Sequence, residues 1–234
     1  MFFFIHGWAS TPMVWSDLTD RKDCYFYDSS TYPNYQELSK IFIDVADKTD
    51  SPHILVGWSL GGMLALQLAF DFPGKIDKLI LISSTAKFTA DDSYTAGIHP
   101  SIVKNLARKI NSDSVAAQKN FYKLMFSKQE DHACNEFLDE SAEKIVTKNI
   151  LSLKNGLQYL LDTDLRNLLS SINVQTNIIH GTDDNICPFS AAQYLADHIT
   201  ESTLSVIQGA GHIPFYTQKE VCRKLIYNII ENNR

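Results

Sequence analysis

The tightest constraint in this chain is the run His53-Ile-Leu-Val-Gly57-Trp-Ser59-Leu-Gly61, continued without a break by Gly62-Met-Leu-Ala-Leu-Gln-Leu-Ala69. An apolar segment of strand length ends on Gly57-x-Ser59-x-Gly61, and a Leu- and Ala-rich helical pattern begins at once. A strand that turns straight into a helix crowds the turning residue, so its flanks must be small, and glycine has no Cβ to collide. The serine hydroxyl is left standing at the mouth of a sheet with a helix N-terminus behind it. The Leu60 amide then points to where a carbonyl oxygen gains negative charge under attack.

The rest of the chain fits an α/β alternation around this bend. Phe2 to Ile5 is a continuous apolar run, as in a strand buried on both faces. Cys24 to Asp28 is an aromatic-rich strand, and Gln36 to Asp47 carries a helical stripe at Leu38, Ile41, Phe42, Val45 and Ala46. Lys78 to Ser84 is a further buried strand. From Ala86 to Leu165 the patterns turn wholly helical: one helix around Ile102 to Ile110, a second around Phe121 to Met125, and two between Phe137 and Leu161. Alternation then resumes with a strand at 176–181, a helix at 189–198, a strand at 203–207 and a last helix at 218–230. The expected fold is α/β, a mostly parallel doubly wound sheet built from 1–85 and 166–234, with 86–165 inserted as a helical cap.

A serine hydroxyl becomes a nucleophile when a base removes its proton, and the base needs an acid to orient it. In α/β-hydrolases the chain order is Ser, acid, His, with the last two on loops after later strands. Gly181-Thr-Asp183-Asp184 follows one expected strand and Gly211-His212-Ile-Pro the next. His212 is therefore the candidate base. Asp184 is preferred as the acid over Asp183, because it lies one residue deeper in the loop. The other six histidines read as strand-end, helix-end or loop residues, with His180 structural and His6 bonding within its turn. The backbone N–H of Trp8, after the first strand, is the candidate second oxyanion donor beside Leu60.

A formal net charge of -6 argues against nucleic acid as a partner. Four scattered cysteines without a C-x-x-C pair suit reduced thiols, and no run is long enough to cross a bilayer, so a cytoplasmic protein is expected. Charge is segregated along the cap: between Ser101 and Lys128, six cations face the single acid Asp113, a local +5. Lys104 with Arg108, and Lys119 with Lys123, are spaced i,i+4 and share helix faces. Such a face is either simply solvated or steers an acidic partner.

His6-Gly7-Trp8, Gly57-Trp58-Ser59-Leu60-Gly61-Gly62, Gly156-Leu157 with Asp164-Leu165-Arg166, the acid loop and Gly211-His212-Ile-Pro-Phe together resemble the pimeloyl-[acyl-carrier protein] methyl ester esterases of biotin synthesis. The resemblance implies a serine carboxylesterase of α/β-hydrolase fold that releases methanol and needs no metal or organic cofactor. It also implies that Phe121, Tyr122, Lys123, Leu124 and Met125 line an acyl channel beside Trp8, Ser59, Leu60 and His212. Lys104, Arg108, Lys119 and Lys123 would meet an acyl carrier protein, and a monomer is expected. Two departures stand out: no strands precede the His-Gly-Trp strand, and most cap arginines of that family are lysine or absent here. The alternatives are a small-molecule carboxylesterase or thioesterase without a carrier, and a non-catalytic binding protein on the same scaffold.

Overall fold

A computed structural model of the chain describes residues 1–29, 34–49, 52–140 and 142–231. Six parallel strands form one sheet in the order β2-β1-β3-β4-β5-β6. They are β1 (Phe2–Ile5), β2 (Cys24–Tyr27), β3 (Ile54–Trp58), β4 (Lys78–Ile82), β5 (Gln175–Gly181) and β6 (Ser202–Ile207). From β2 onward each new strand is added farther toward the β6 edge, whereas the step from β1 to β2 runs the other way. The order therefore reverses at β1 and β3, and loops leaving the carboxyl ends of such a pair diverge and open a crevice.

Strand character follows from burial on both faces. Every residue of β1, β3 and β4 is buried. Successive β1 side chains point to opposite sides: Phe3 meets Phe42 of α1 (Tyr35–Ala46) edge-on at 5.5 Å, while Phe4 packs on Trp15 at 5.3 Å. The α1 stripe buries Leu38, Phe42 and Ala46, and Asn34 caps the helix by accepting from the Glu37 amide. The helix after the bend, α2 (Leu60–Asp71), is buried on nearly all sides.

Between β4 and β5 lie α3 (Pro100–Ser112), α4 (Ser114–Lys123), α5 (Asp131–Glu140), α6 (Ala142–Ile145) and α7 (Ile150–Asp162). The two helices expected between Phe137 and Leu161 are thus replaced by three, with α5 starting earlier. The second cap helix also differs from expectation, ending at Lys123 before Leu124 and Met125. After β5 come α8 (Phe189–His198), β6, α9 (Pro214–Thr217) and α10 (Lys219–Glu231). The single terminal helix expected from Gln218 is preceded by a short turn of helix, begun by Pro214 at its first position, where a missing N–H costs nothing. Among the described residues no helix is long and apolar enough to cross a membrane.

Candidate active site

Four loops at the carboxyl edge of the sheet converge: those after β1, β3, β5 and β6. Ser59 links β3 to α2 with φ 57° and ψ -121°, a left-handed backbone that few L-residues adopt. Strain of this kind costs about 1–3 kcal/mol and persists where neighbours over-determine it. Here the Ser59 amide donates to the Ile82 carbonyl at 3.0 Å, and its carbonyl accepts from Ser84 Oγ at 2.8 Å and the Gly62 amide at 2.9 Å. A Cβ on Gly61 would run into the Ile5 and His6 carbonyls, so only glycine lets α2 begin this close to β1.

That close approach brings the His6-Gly7-Trp8 loop against the serine. A Cβ built on Gly7 would lie 3.2 Å from Ser59 Cβ. The Leu60 amide opens α2 and so lacks an intrahelical acceptor. The Trp8 indole donates to the Leu153 carbonyl at 2.9 Å and meets Phe121 edge-on at 4.8 Å, pinning core to cap.

Asp184 and His212 lie on the loops after β5 and β6. Asp184 Oδ2 accepts from His212 Nδ1 at 2.8 Å, and both side chains are fully buried. Asp184 Oδ1 accepts from the amides of Ile186 at 2.8 Å and Cys187 at 2.9 Å. Burial opposes charge on this carboxyl, yet the His212 and His180 imidazoles outweigh it and hold the group well below the usual carboxylate range. Asp183 is exposed and bonds the Thr182 hydroxyl instead.

His212 is fixed at three points. Its amide donates to Met125 O at 2.7 Å, its carbonyl accepts from Trp58 Nε1 at 2.9 Å, and Nδ1 faces Asp184. Its ring packs 5.6 Å from that of Trp58, the residue before Ser59. The remaining ring nitrogen, Nε2, is buried with no hydrogen-bond partner among the described residues. A general base needs one such free nitrogen.

Three contributors escaped the sequence reading. Trp58 holds the histidine loop through its indole N–H. His180, read as structural, places Nε2 2.8 Å from the Cys187 carbonyl and 3.3 Å from Asp184 Oδ2, a second imidazole on the same acid. Cys187 lies beneath the site; burial raises its thiol far above the usual range, the Asp184 charge adds to this, and the neighbouring Ser59 hydroxyl opposes it. A motif scan looks for one serine, one acid and one histidine, so none of these three gives a signal.

A cavity of about 340 Å³ opens onto Ser59 under the cap, lined by Trp8, Phe88, Val103, Phe121 and Leu160, with Lys109 in its wall. Of the segment expected to line an acyl channel, Phe121 and Leu124 line this cavity. Tyr122, Lys123 and Met125 do not. Residues three apart share a helix face, so Phe121 and Leu124 face the cavity. Tyr122 turns its hydroxyl to the Ala9 carbonyl at 2.7 Å, Met125 is buried against the histidine loop, and Lys123 is exposed. Leu60 lies on the wall of a neighbouring cavity of about 130 Å³ behind Trp8, and His212 lines neither. In the cap patch Lys104 and Arg108 are exposed, while Lys119 is paired with Glu143 at 3.5 Å. Among the described residues no group of three His, Cys, Asp or Glu side chains is arranged to hold a metal ion.

Residues 4–219 match the family model of the alpha/beta hydrolase fold. Among curated proteins, the chain is 26% identical over 226 residues to the pimeloyl-[acyl-carrier protein] methyl ester esterase of Nitrosomonas europaea, covering 92% of this chain and 90% of that one. The protein of the same name from Neisseria meningitidis is 28% identical over 244 residues, covering 98% and 93%. Among solved structures, an esterase from Exiguobacterium antarcticum superposes with a TM-score of 0.85 at 23% identity, over 98% of this chain and 91% of that one.

Proposed function

The chain belongs to the α/β-hydrolase family, and from that premise we propose that it is a serine carboxylesterase acting on the methyl ester of a pimeloyl group carried by acyl carrier protein. The observation that carries the esterase reading is the buried Asp184–His212 pair: the imidazole packs on Trp58, the residue before the strained Ser59 bend, and its second nitrogen has no hydrogen-bond partner among the described residues. In this reading Ser59 Oγ attacks the ester carbonyl while His212 Nε2 takes its proton. The oxyanion of the tetrahedral intermediate is held by the Trp8 and Leu60 amides. His212 then returns the proton to the departing methoxide, so methanol leaves and an acyl-serine remains. Water, deprotonated by the same nitrogen, attacks that acyl group, and the free carboxylic acid and the serine hydroxyl result. Asp184 fixes the imidazole tautomer and steadies its charged form.

The pimeloyl substrate and the carrier rest on the names of the curated relatives, with support from an apolar cavity ending at Ser59 and from the cationic cap. One observation favours the smaller reading, an esterase without a carrier: Lys119, one of the four patch cations, is already engaged by Glu143. Comparing hydrolysis of carrier-bound pimeloyl methyl ester with that of a short p-nitrophenyl ester separates the two. The proposal expects a kcat/KM at least about a hundredfold higher for the carrier substrate, as remote binding energy is used at the reacting centre. Equal values would leave only the esterase. Ser59→Ala should abolish both activities with the fold intact.

A further inference from the structure

We propose that Glu130, at the foot of the cap, is a positioning residue that holds the His212 loop in register with Ser59. Glu130 is 8% exposed and lies between α4 and α5. A single oxygen, Oε2, accepts from the Ser127 amide at 2.8 Å and from the Gly211 amide at 2.9 Å. Gly211 immediately precedes His212. The carboxylate thus joins a cap turn to the residue beside the candidate base, 81 positions away in sequence.

Two further bonds cross the same seam. The His212 amide donates to the Met125 carbonyl at 2.7 Å, and Ser127 Oγ donates to the Gly209 carbonyl at 2.7 Å. A Cβ on Gly211 would strike Met125 O and crowd Ser127 N and Glu130 Oε2, so this backbone approach is open only to glycine. The histidine loop therefore rests on the cap as much as on the sheet. From the sheet side it is held by Trp58 Nε1 and by Asp184.

Burying a carboxylate for two amide bonds is costly, and Oε1 is buried with no partner among the described residues. A polar group kept at such a place calls for an explanation. The geometry supplies one: among the described residues Oε2 is the side-chain acceptor that both amides share, and without it the Gly211 N–H loses that partner beside the candidate base. A loop freed at that amide lets the imidazole drift from the serine, and displacement of about 1 Å can cost a hundredfold in rate.

This proposal rests on the reading of His212 as general base, so His212→Ala is run alongside. With the full chain, kcat and KM for a short p-nitrophenyl ester are measured, together with the rate at which a fluorophosphonate labels Ser59. Glu130→Ala should lower kcat and the labelling rate about tenfold or more while KM stays within about twofold. Glu130→Gln keeps an oxygen that accepts from both amides and should recover activity to within about threefold of wild type. If the alanine variant does not fold, Glu130→Asp takes its place. It keeps the charge but withdraws the oxygen by one methylene, and should lose kcat where glutamine does not. An alanine or aspartate variant within twofold of wild type overturns the proposal, as does a glutamine variant as impaired as either. Should His212→Ala label Ser59 at the wild-type rate, the general-base reading itself falls, whatever Glu130 does.

Discussion

Among single residues, Asp184 is the most fully specified side chain of the site. Its Oδ1 is committed to two backbone N–H donors and its Oδ2 to two imidazoles, at 2.8 Å from His212 and 3.3 Å from His180. Because those partners outweigh burial and depress its titration, Asp184 stays ionised throughout the working pH range. The acid limb of activity therefore belongs to another group. Asp184→Asn tests the arrangement sharply. Two N–H donors at the Oδ1 position force the carboxamide oxygen there and leave its NH2 facing His212 Nδ1. That nitrogen must then accept, the proton moves to Nε2, and the base can no longer take one from Ser59. We expect kcat at neutral pH to fall about 10⁴-fold with KM little changed; a variant within tenfold of wild type would count against the assignment. Sequence alone preferred Asp184 over Asp183 only by its depth in the loop, because two adjacent turn aspartates differ in which way the loop rotates them. Ser59 and His212 were legible as candidates, since small residues around each signal a crowded backbone. Glu130 was not: its partner amide lies far along the chain, and an acid that opens an acidic stretch before a helix reads as an ordinary surface residue.

The element whose attachment matters most is the cap, and its two chain crossings are clasped together. Lys87 and Asp164 form an isolated antiparallel bridge, and the Leu165 amide donates to the Ala86 carbonyl at 2.9 Å. Lys87 also pairs with Asp91 and, at 3.2 Å, with Asp164. Arg166 grips Asp164 through Nε at 2.9 Å and Nη2 at 2.7 Å, bonds the Ser93 carbonyl and lies over the Tyr94 ring. This gives a physical role to the Asp164-Leu165-Arg166 segment, which the sequence marked only by resemblance. Likewise Gly156 leaves room for the Trp8 indole. The hydrogen bonds from Arg166 lower Asp164 to about 2 from 3.8. A carboxyl depressed on folding adds stability above its unfolded value and loses it as pH falls toward the folded one. Asp164→Asn should therefore destabilise by about 1 kcal/mol or less, the side chain being 35% exposed and screened. In urea melts the gap should be constant above about pH 5 and close between about pH 4 and 2. A gap that persists at the acid end would dismiss the clasp. A helical block was legible from where strand patterns stop and resume, and α3 to α7 lie between β4 and β5.

Over the whole molecule, the sheet supplies four carboxyl-end loops, and cap helices line the cavity that opens onto Ser59. Their charge then matters for whatever carries the ester. The chain is net negative, yet the cap segment from Ser101 to Lys128 holds six cations against one acid. Lys109 lies in the cavity wall and Ile102 and Leu124 are exposed at 54% and 55%, so apolar and cationic groups meet where the cavity is lined by the cap. A long acyl chain on an acidic protein suits both features; a short neutral ester needs neither. Of the four patch residues, Lys119 shares its charge with Glu143, and reversing it would disturb a contact inside the cap as well. Lys104 and Arg108, exposed on one face of α3, make the cleaner probe. The double variant Lys104→Glu, Arg108→Glu should lower kcat/KM for a carrier-bound ester about tenfold at low ionic strength, through slower encounter rather than altered chemistry. Screening fixes the control: as the Debye length falls from about 10 Å at 0.1 M salt to about 3 Å at 1 M, the two enzymes should converge on that substrate. On a short p-nitrophenyl ester they should differ little at any salt concentration. If the variant loses the same factor on both substrates, or the loss on the carrier substrate ignores salt, the cap's charge does not guide a partner, and the smaller esterase reading takes precedence.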